Sequence, residues 1–364
     1  MKRSIFIFVC FFLISIALSQ TPTTDSGHLD YHKIYSFCLD ANVKPALVSL
    51  SDLDSRKLPV KDQQFKSAFE SRFKFAKDQK DYRSEINHSL SNILDMFRNY
   101  WRASLLDSSI NLDSLLQYQL SDLLEKKYVS VKELPGNSDT VDYYLKKMIT
   151  SSGCYTTGFG KTGRLFDLLI WKKQQDTQYV FSIGNEMIST KVIFMDDFLT
   201  LGWEQYATLD RYYPGGWATD TALFCVKQAY DLHSEDFLIS YLAHESRHFA
   251  DYKLFPKLTP ADLEYRAKLT ELSLADSSLY SLVSFFISNA NYESENAHSL
   301  ADYCVIRDLS VLLFHKNFEN DIKAWQEKGV HTINTGARQI LADNTKALLA
   351  LGAGAGNSIY IKHK

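Results

Sequence analysis

Two histidines four residues apart, with a glutamate beside the first, have the spacing in this chain best suited to chemistry. They are His244, Glu245 and His248. On an α-helix, residues four apart lie on one face, so both imidazoles can bind the same metal ion. Glu245 would lie about 100° round the helix, where its carboxylate can hold the water that the metal activates and accept its proton. The alternative is two helix histidines that form hydrogen bonds in a core or lie at the surface.

The flanking residues predict the helix that this spacing requires. Ser234 is a favourable N-cap, and the acidic Glu235 and Asp236 suit the positive end of the helix dipole. Residues of the predicted inward face recur at intervals of three or four: Phe237, Tyr241, His244, His248 and Asp251. We therefore expect both histidines on a largely apolar face of a helix that ends before Pro256.

A catalytic zinc ion usually has three protein ligands and one open position, so a third ligand is required. The pattern His-Glu-x-x-His-x-x-Gly-x-x-His is excluded, because Asp251 and Leu254 occupy its glycine and last histidine positions. The next helix offers Glu264 or, seven residues later, Glu271. Thr259-Pro260-Ala261-Asp262 predicts the start of that helix. An antiparallel course would bring Glu264 back over the histidines.

His244, Glu245 and His248, followed by a glutamate on a later helix, resemble the gluzincin branch of zinc metallopeptidases over roughly residues 190–308. The resemblance implies a zincin-like fold with Zn2+ as cofactor. It implies that the two histidines and Glu264 hold the metal and that Glu245 is the general base.

The chain departs from the gluzincin pattern in two ways. Glu264 follows His248 by only 16 residues, which is a short spacing for the family. The aspartate that orients a ligand histidine soon after the third ligand is also missing. Asp251 or Asp276 could take its place. The subfamily is therefore open.

The resemblance also suggests residues that contact substrate. Gluzincins use a downstream His or Tyr to stabilise the oxyanion, and His298 is the first candidate here, before Tyr303 and Tyr292. A capping or solvent-exposed His298 is the alternative. The strand before the His-Glu helix is an exposed sheet edge in such enzymes and pairs with extended substrate. We expect four residues of this strand to line the cleft, unless the strand is simply buried: Gly216, Trp217, Ala218 and Thr219.

The whole chain predicts a mainly helical α+β protein with a small mixed or antiparallel sheet. Residues 20–150 read as an N-terminal helical lobe, 151–323 as the zincin-like catalytic domain and 324–364 as a C-terminal helical segment. Apolar and β-branched runs predict strands at Leu165–Ile170, Gln178–Ile183 and Thr190–Met195. Helices are expected from Asp196 through Tyr206, over Leu272–Ile287 and over Ala324–Leu351.

Composition restricts the class of protein. The 364 residues are 45% hydrophobic and 23% charged, which is ordinary for a globular chain. The net charge of −3 gives no reason to expect a nucleic acid or an anionic membrane as partner.

The N-terminus predicts export. Lys2 and Arg3 precede the apolar run Ile5–Leu18, and small residues suit cleavage before Gln20, so residues 1–19 read as a signal peptide. The run of 14 residues is short for a bilayer, so we expect no membrane span in the mature chain; a retained anchor is the alternative. The protein would be secreted or periplasmic. Two disulfides or buried free thiols are both compatible with the four remaining cysteines: Cys38, Cys154, Cys225 and Cys304.

The sequence thus predicts a secreted zinc-dependent hydrolase that cleaves a peptide or protein substrate. One alternative is a non-catalytic secreted binding protein that keeps the zincin fold, with or without metal. Another is a structural zinc site, which would need a fourth protein ligand such as Asp251.

Overall fold

A computed structural model describes residues 28–78, 88–128, 138–183, 186–219, 221–294 and 296–352. The protein is a mixed α+β structure, 60% helical, with a small five-stranded mixed sheet in its described part. The first six helices precede the sheet: α1 Tyr31–Leu39, α2 Lys44–Ser51, α3 Val60–Phe73, α4 His88–Leu106, α5 Asp113–Lys127 and α6 Ser138–Thr150. The mainly helical α+β class that the sequence predicts is confirmed at this level.

The sheet has the strand order β1-β2-β3-β5-β4 within the described residues. Its strands are β1 Phe159–Thr162, β2 Leu165–Ile183, β3 Glu186–Leu201, β4 Gly216–Ala218 and β5 Leu223–Val226. β1 pairs antiparallel with β2, and β4 pairs antiparallel with β5, where Gly216 faces Cys225. β4 is therefore an edge strand of the described sheet. The strand that directly precedes the His-Glu helix is β5, and it lies between β3 and β4 rather than at the edge that we expected for it.

Two predictions about this region were wrong in detail. The expected strands Leu165–Ile170 and Gln178–Ile183 are the two ends of the single strand β2, which continues through the exposed residues 172–176. Strand pairing uses the backbone, so a polar run does not stop it. The helix expected from Asp196 is also displaced: β3 runs on to Leu201, and α7 covers only Trp203–Ala207.

The remaining helices follow the sheet. Asp236–Ala243 is a π-helix that leads directly into α8; the others are α8 His244–Leu254, α9 Pro260–Leu274, α10 Leu279–Asn289, α11 Ala297–Phe314, α12 Ile322–Lys328 and α13 Val330–Leu351. The start of α9 is confirmed, because Thr259 and Asp262 form a capping box with Pro260 in the first turn.

Two of the expected C-terminal helices are interrupted. The expected helix Leu272–Ile287 breaks between α9 and α10, where the Glu235 carboxylate accepts the backbone N–H groups of Asp276, Ser277 and Ser278 at 2.9–3.2 Å. The expected helix Ala324–Leu351 is divided between α12 and α13 by Gly329, whose φ of +77° lies in the left-handed region.

The described chain forms two compact units. One combines Gln175–Phe194 with the chain from Gly215 onward, and in it α9 contacts α8, α10, α11 and α13 around an apolar core. The other combines the chain up to Gln174 with Met195–Pro214 and has an aromatic core that includes Phe69, Phe97 and Trp101. The expected boundaries after residues 150 and 323 differ from this division, because β2 and β3 contribute to both units and α13 packs on α9.

The expected signal peptide, residues 1–19, lies outside the described residues. In the part of the chain that the structure describes, no helix combines the length and the apolar character needed to cross a membrane. Cys38, Cys154, Cys225 and Cys304 are buried free thiols, so of the two alternatives for the cysteines the structure has the unpaired one.

Candidate metal centre

The two histidines of α8 converge at one point. His244 and His248 are 2% and 6% exposed, and their Nε2 atoms lie 3.1 Å apart. The ring planes are close to perpendicular, at 84°, as expected when rings one helix turn apart aim at a shared point. The inward face predicted for these histidines is therefore present.

Glu264 brings a carboxylate to the same point from α9. Its Oε1 lies 3.3 Å from His248 Nε2, and its Oε2 lies 3.4 Å from His244 Nε2. Zinc with ligands at about 2.0–2.1 Å in tetrahedral geometry holds its donor atoms about 3.3–3.4 Å apart. His244, His248 and Glu264 thus form a buried group whose donors all lie within 4.8 Å of one another and that could bind a metal ion.

Glu271 contacts the other side of His244. Its Oε1 lies 2.6 Å from His244 Nδ1, and the Glu271 residue is 2% exposed. A carboxylate at this position accepts a hydrogen bond from Nδ1–H and so keeps the ring proton on Nδ1, which leaves the Nε2 lone pair facing the candidate metal position. Glu271, which the sequence offered as an alternative third ligand, is placed instead to orient the His244 ring.

Asp251 is engaged elsewhere. Arg266 donates to both of its carboxylate oxygens at 2.7 and 2.9 Å, and Arg247 lies 3.6 Å away. The suggestion that Asp251 orients a ligand histidine is therefore wrong, and its oxygens are already used by cations rather than offered as a fourth ligand. Asp276 donates its backbone N–H to the Glu235 carboxylate, and Glu271 already occupies the orienting position on His244.

Glu245 follows His244 in the sequence and is buried, at 2% exposure. Its Oε1 has no hydrogen-bond partner within the described residues. A buried carboxylate oxygen without a donor is costly, since it loses water and gains nothing in return. This unpaired oxygen is compatible with the sequence-based expectation that Glu245 accepts a hydrogen bond, and later a proton, from a water molecule.

The His298 side chain contacts Glu264, the third candidate ligand. It lies at the start of α11, where the Asn296 side chain accepts its backbone N–H at 2.9 Å. Its Nδ1 lies 3.0 Å from Glu264 Oε2, an ion-pair contact without the alignment of a hydrogen bond. The other two candidates, Tyr292 and Tyr303, pack on each other with ring centroids 5.2 Å apart.

A buried ion pair adjoins the centre. Lys268 Nζ lies 2.9 Å from Asp302 Oδ1, and the two residues are 4% and 1% exposed. Burial alone would lower the pKa of Lys268, but the carboxylates of Asp302, Glu264 and Glu271 outweigh it and raise that pKa. Burial likewise opposes the charge of Glu264, yet the facing imidazoles hold its pKa well below the usual value.

The edge strand β4 contacts α8. Gly216 has no room for a side chain, since a Cβ would lie 2.3 Å from Phe224 O. Trp217 stacks on Phe224 with centroids 5.2 Å apart, and Ala218 pairs with Leu223. Thr219 closes the β4–β5 turn, because its hydroxyl accepts the Ala222 N–H at 3.1 Å. Gly216 and Ala218 thus offer backbone at this edge, while the Thr219 hydroxyl is used in the turn.

Three residues of the centre were missed from the sequence. Lys268 and Asp302 form the ion pair, and Tyr252 packs on His248 with ring centroids 6.5 Å apart. Burial, with the negative charges of Glu245 and Glu264, raises the pKa of Tyr252 to about 12. Of the three, Tyr252 could have been found from its spacing, because it follows His248 by four residues, as His248 follows His244.

No family model, no curated protein and no solved structure matches this chain. The case for function therefore depends on the geometry and charges described above.

Proposed function

We propose that this protein is a secreted zinc-dependent hydrolase of the gluzincin type, with a zincin-like catalytic unit, and that it cleaves peptide bonds. One observation carries the proposal: His244 Nε2, His248 Nε2 and the Glu264 carboxylate converge to within 3.1–3.4 Å, with Glu271 on the outer nitrogen of His244. Two imidazoles and one carboxylate are a frequent ligand set of catalytic zinc.

The charges around the centre support a bound dication. Four carboxylates are nearly inaccessible there, at 1–3% exposure: Glu245, Glu264, Glu271 and Asp302. Lys268 is the buried lysine that faces them, while Arg247 and Arg266 are paired with Asp251 and Glu186. Buried charges are strongly unfavourable unless they are compensated. A divalent cation between the histidines and Glu264 would offset most of this excess.

Each residue then has a defined task. Zinc, when bound, lowers the pKa of water and polarises a carbonyl group. Glu245 accepts a proton from the attacking water as the new C–O bond forms, and it donates that proton to the leaving amine as the C–N bond breaks. Glu271 keeps the His244 ring in one tautomer. The free edge of β4 offers backbone groups to an extended peptide.

Glu245→Gln tests the proposal. We expect zinc to remain bound at one equivalent, because Glu245 is not a ligand, while cleavage of a mixed peptide library falls about 10²- to 10⁴-fold. Glu125→Gln, on α5 in the other compact unit, is the matched control and should cleave as the wild type does. A chelator must abolish the wild-type cleavage. If Glu245→Gln cleaves as fast as the wild type, the proposed role of this residue is wrong.

The second candidate is a non-catalytic binding protein that holds the same metal. It is favoured by the low exposure of the ligands, 2–6% for His244, His248 and Glu264, which leaves little room for a large substrate. The peptide library distinguishes the two candidates: stoichiometric zinc without chelator-sensitive cleavage of any peptide would support the second.

A further inference from the structure

Lys268 places a buried positive charge beside the candidate metal ligands. It lies on α9, four residues after Glu264 and three before Glu271, and both spacings put side chains on one face of a helix. The residue is 4% exposed, and the charges of both glutamates act on its ammonium group. A glutamate four residues before a lysine is the arrangement that favours an ion pair within a helix. Lys268 can therefore compete with a metal ion for the Glu264 carboxylate.

Asp302 of α11 holds the Lys268 ammonium in a different place. Asp302 is 1% exposed, and its Oδ1 lies 2.9 Å from Lys268 Nζ. The Phe286 ring of α10 also faces the ammonium, with its centroid 4.5 Å from Nζ, a distance at which a cation and an aromatic face attract each other. Among the described residues, it is Asp302, and not Glu264 or Glu271, that lies within ion-pair distance of Lys268.

The Glu264 carboxylate consequently faces the two imidazoles. Its Oε1 lies 3.3 Å from His248 Nε2, and its Oε2 lies 3.4 Å from His244 Nε2. Oε2 is buried and has no hydrogen-bond partner in the described chain, although His298 Nδ1 is 3.0 Å away. An ammonium at this oxygen would occupy the acceptor and would place a positive charge where the dication has to bind.

From this arrangement we infer that Asp302 is a positioning residue for the metal centre: it holds the Lys268 ammonium away from Glu264 and so keeps that carboxylate available to the metal ion. The inference rests on the proposed function, because it takes the centre to bind a metal. Lys268 still offsets part of the buried negative charge without using a metal ligand. The alternative is that the Lys268–Asp302 pair only joins α9 to α11.

Two single variants should change zinc affinity in opposite directions. Asp302→Asn frees Lys268 to pair with Glu264, and zinc should bind about 10- to 100-fold more weakly, as when an outer partner of a metal site is lost. Lys268→Met removes the competing cation, and zinc should bind at least as tightly as in the wild type. A pair that only joins the helices predicts the same direction of change, or no change, in both. Competition with a chelator of known zinc affinity measures these values, and circular dichroism verifies that each variant is folded.

The double variant Lys268→Met/Asp302→Asn tests whether the loss in Asp302→Asn acts through the lysine. Replacing both partners of a buried ion pair by uncharged residues of similar size is often neutral for stability, so this variant should fold. Its zinc affinity should return at least to that of the wild type.

Asp308→Asn is the matched control on the same two helices. Asp308 of α11 accepts a hydrogen bond from the Tyr265 hydroxyl of α9 at 2.7 Å, so it also joins α9 to α11. Its loss should leave zinc affinity unchanged.

The outcomes separate this inference from the function on which it rests. Wild-type zinc affinity in Asp302→Asn, or weaker zinc binding in Lys268→Met, overturns the role of Asp302 and leaves the hydrolase proposal standing. If either single variant does not fold, the double variant decides: zinc binding at least as tight as in the wild type supports the inference, and weaker binding overturns it. A wild-type protein that binds zinc but cleaves no peptide overturns the hydrolase and not the role of Asp302, while one that binds no zinc overturns both.

Discussion

Glu271→Gln should weaken metal binding without weakening the metal-free fold. The 2.6 Å contact between Glu271 and His244 Nδ1 is a hydrogen bond to a charged group, which contributes about 1.5–3 kcal/mol, against about 0.5–1.5 kcal/mol for a neutral partner. The variant also removes one negative charge from the four carboxylates that face the cation. We expect zinc affinity to fall about 10- to 100-fold, which is the usual cost of losing such an outer partner.

The same substitution relieves the metal-free protein. Without metal, the weaker hydrogen bond to His244 is offset by the removal of one of several buried carboxylates that share Lys268, so the free energy of unfolding should equal or exceed that of the wild type. With zinc at saturating concentration, the added stability should be smaller than in the wild type by about 1.4–2.7 kcal/mol. Urea unfolding with zinc and with a chelator measures both quantities.

Glu235→Gln is the matched control for this experiment. Burial opposes the charge of Glu235, but hydrogen bonds from Ser278, Ser277 and Asp276 lower its pKa to about 2. Its loss should reduce stability equally with and without zinc, because it contacts no residue of the metal centre. Our account of Glu271 fails if Glu271→Gln binds zinc like the wild type, or if its metal-free form unfolds more readily.

Two further predictions concern stability. Burial, together with Asp167, raises the pKa of Glu204 to about 8, so the folded protein binds a proton that the unfolded chain releases above its own pKa of about 4.5. Stability should therefore fall as pH rises from about 4.5 to 8, by up to about 5 kcal/mol, and Glu204→Gln should remove most of that fall; urea unfolding at pH 4.5 and pH 9 checks this, and parallel curves for both proteins would refute it. Gly216→Ala should cost about 1–3 kcal/mol in the same assay, because its Cβ would lie 2.3 Å from Phe224 O and 2.7 Å from Tyr241 Oη; an unchanged midpoint would show that β4 shifts freely.

The histidine face and the start of α9 could be predicted because their signals are local. Four-residue spacing fixes which side chains share a helix face, and Thr259, Pro260 and Asp262 each fit one position of a capped first turn. The order of strand β4 and helix α8 followed from the glycine pair Gly215-Gly216 and the run from Trp217 to Val226 that follows it. These elements depend on contacts between residues close in sequence.

The role of Glu271 could not be predicted, although its position could. Glu264 and Glu271 share a face of α9, so spacing alone leaves either as the ligand. Their tasks differ because the Glu264 carboxylate faces the Nε2 atoms of the histidines, whereas the Glu271 carboxylate contacts Nδ1 of His244. The relative position of α8 and α9 determines which contact each carboxylate makes, and spacing within one helix does not give that position. Asp302 was missed for a similar reason, since its partner Lys268 lies 34 residues earlier on another helix.

The π-helix Asp236–Ala243 could not be distinguished from an α-helix by the sequence pattern. Phe237 and Tyr241 are four apart and fit an α-helical stripe equally well. In the folded protein this segment packs on the sheet: Tyr241 donates to Phe224 O at 2.8 Å and Phe237 packs on Phe194. Short π-helical segments are often found at functional sites, and this one ends directly before His244 of the candidate metal centre.

Each of the two units is built from segments that are separated in the sequence, so the candidate metal centre can form only late in synthesis of the chain. Gln175–Phe194 and the chain from Gly215 onward build one unit, but Met195–Pro214 between them belongs to the other. Arg247 on α8 binds Glu186, 61 residues earlier, and His298 and Asp302 arrive only with α11. During synthesis, the ribosome must therefore release most of the polypeptide before the ligands have their neighbours. A gene fragment that starts at β4 would lack Glu186, so the two units are poor candidates for separate expression.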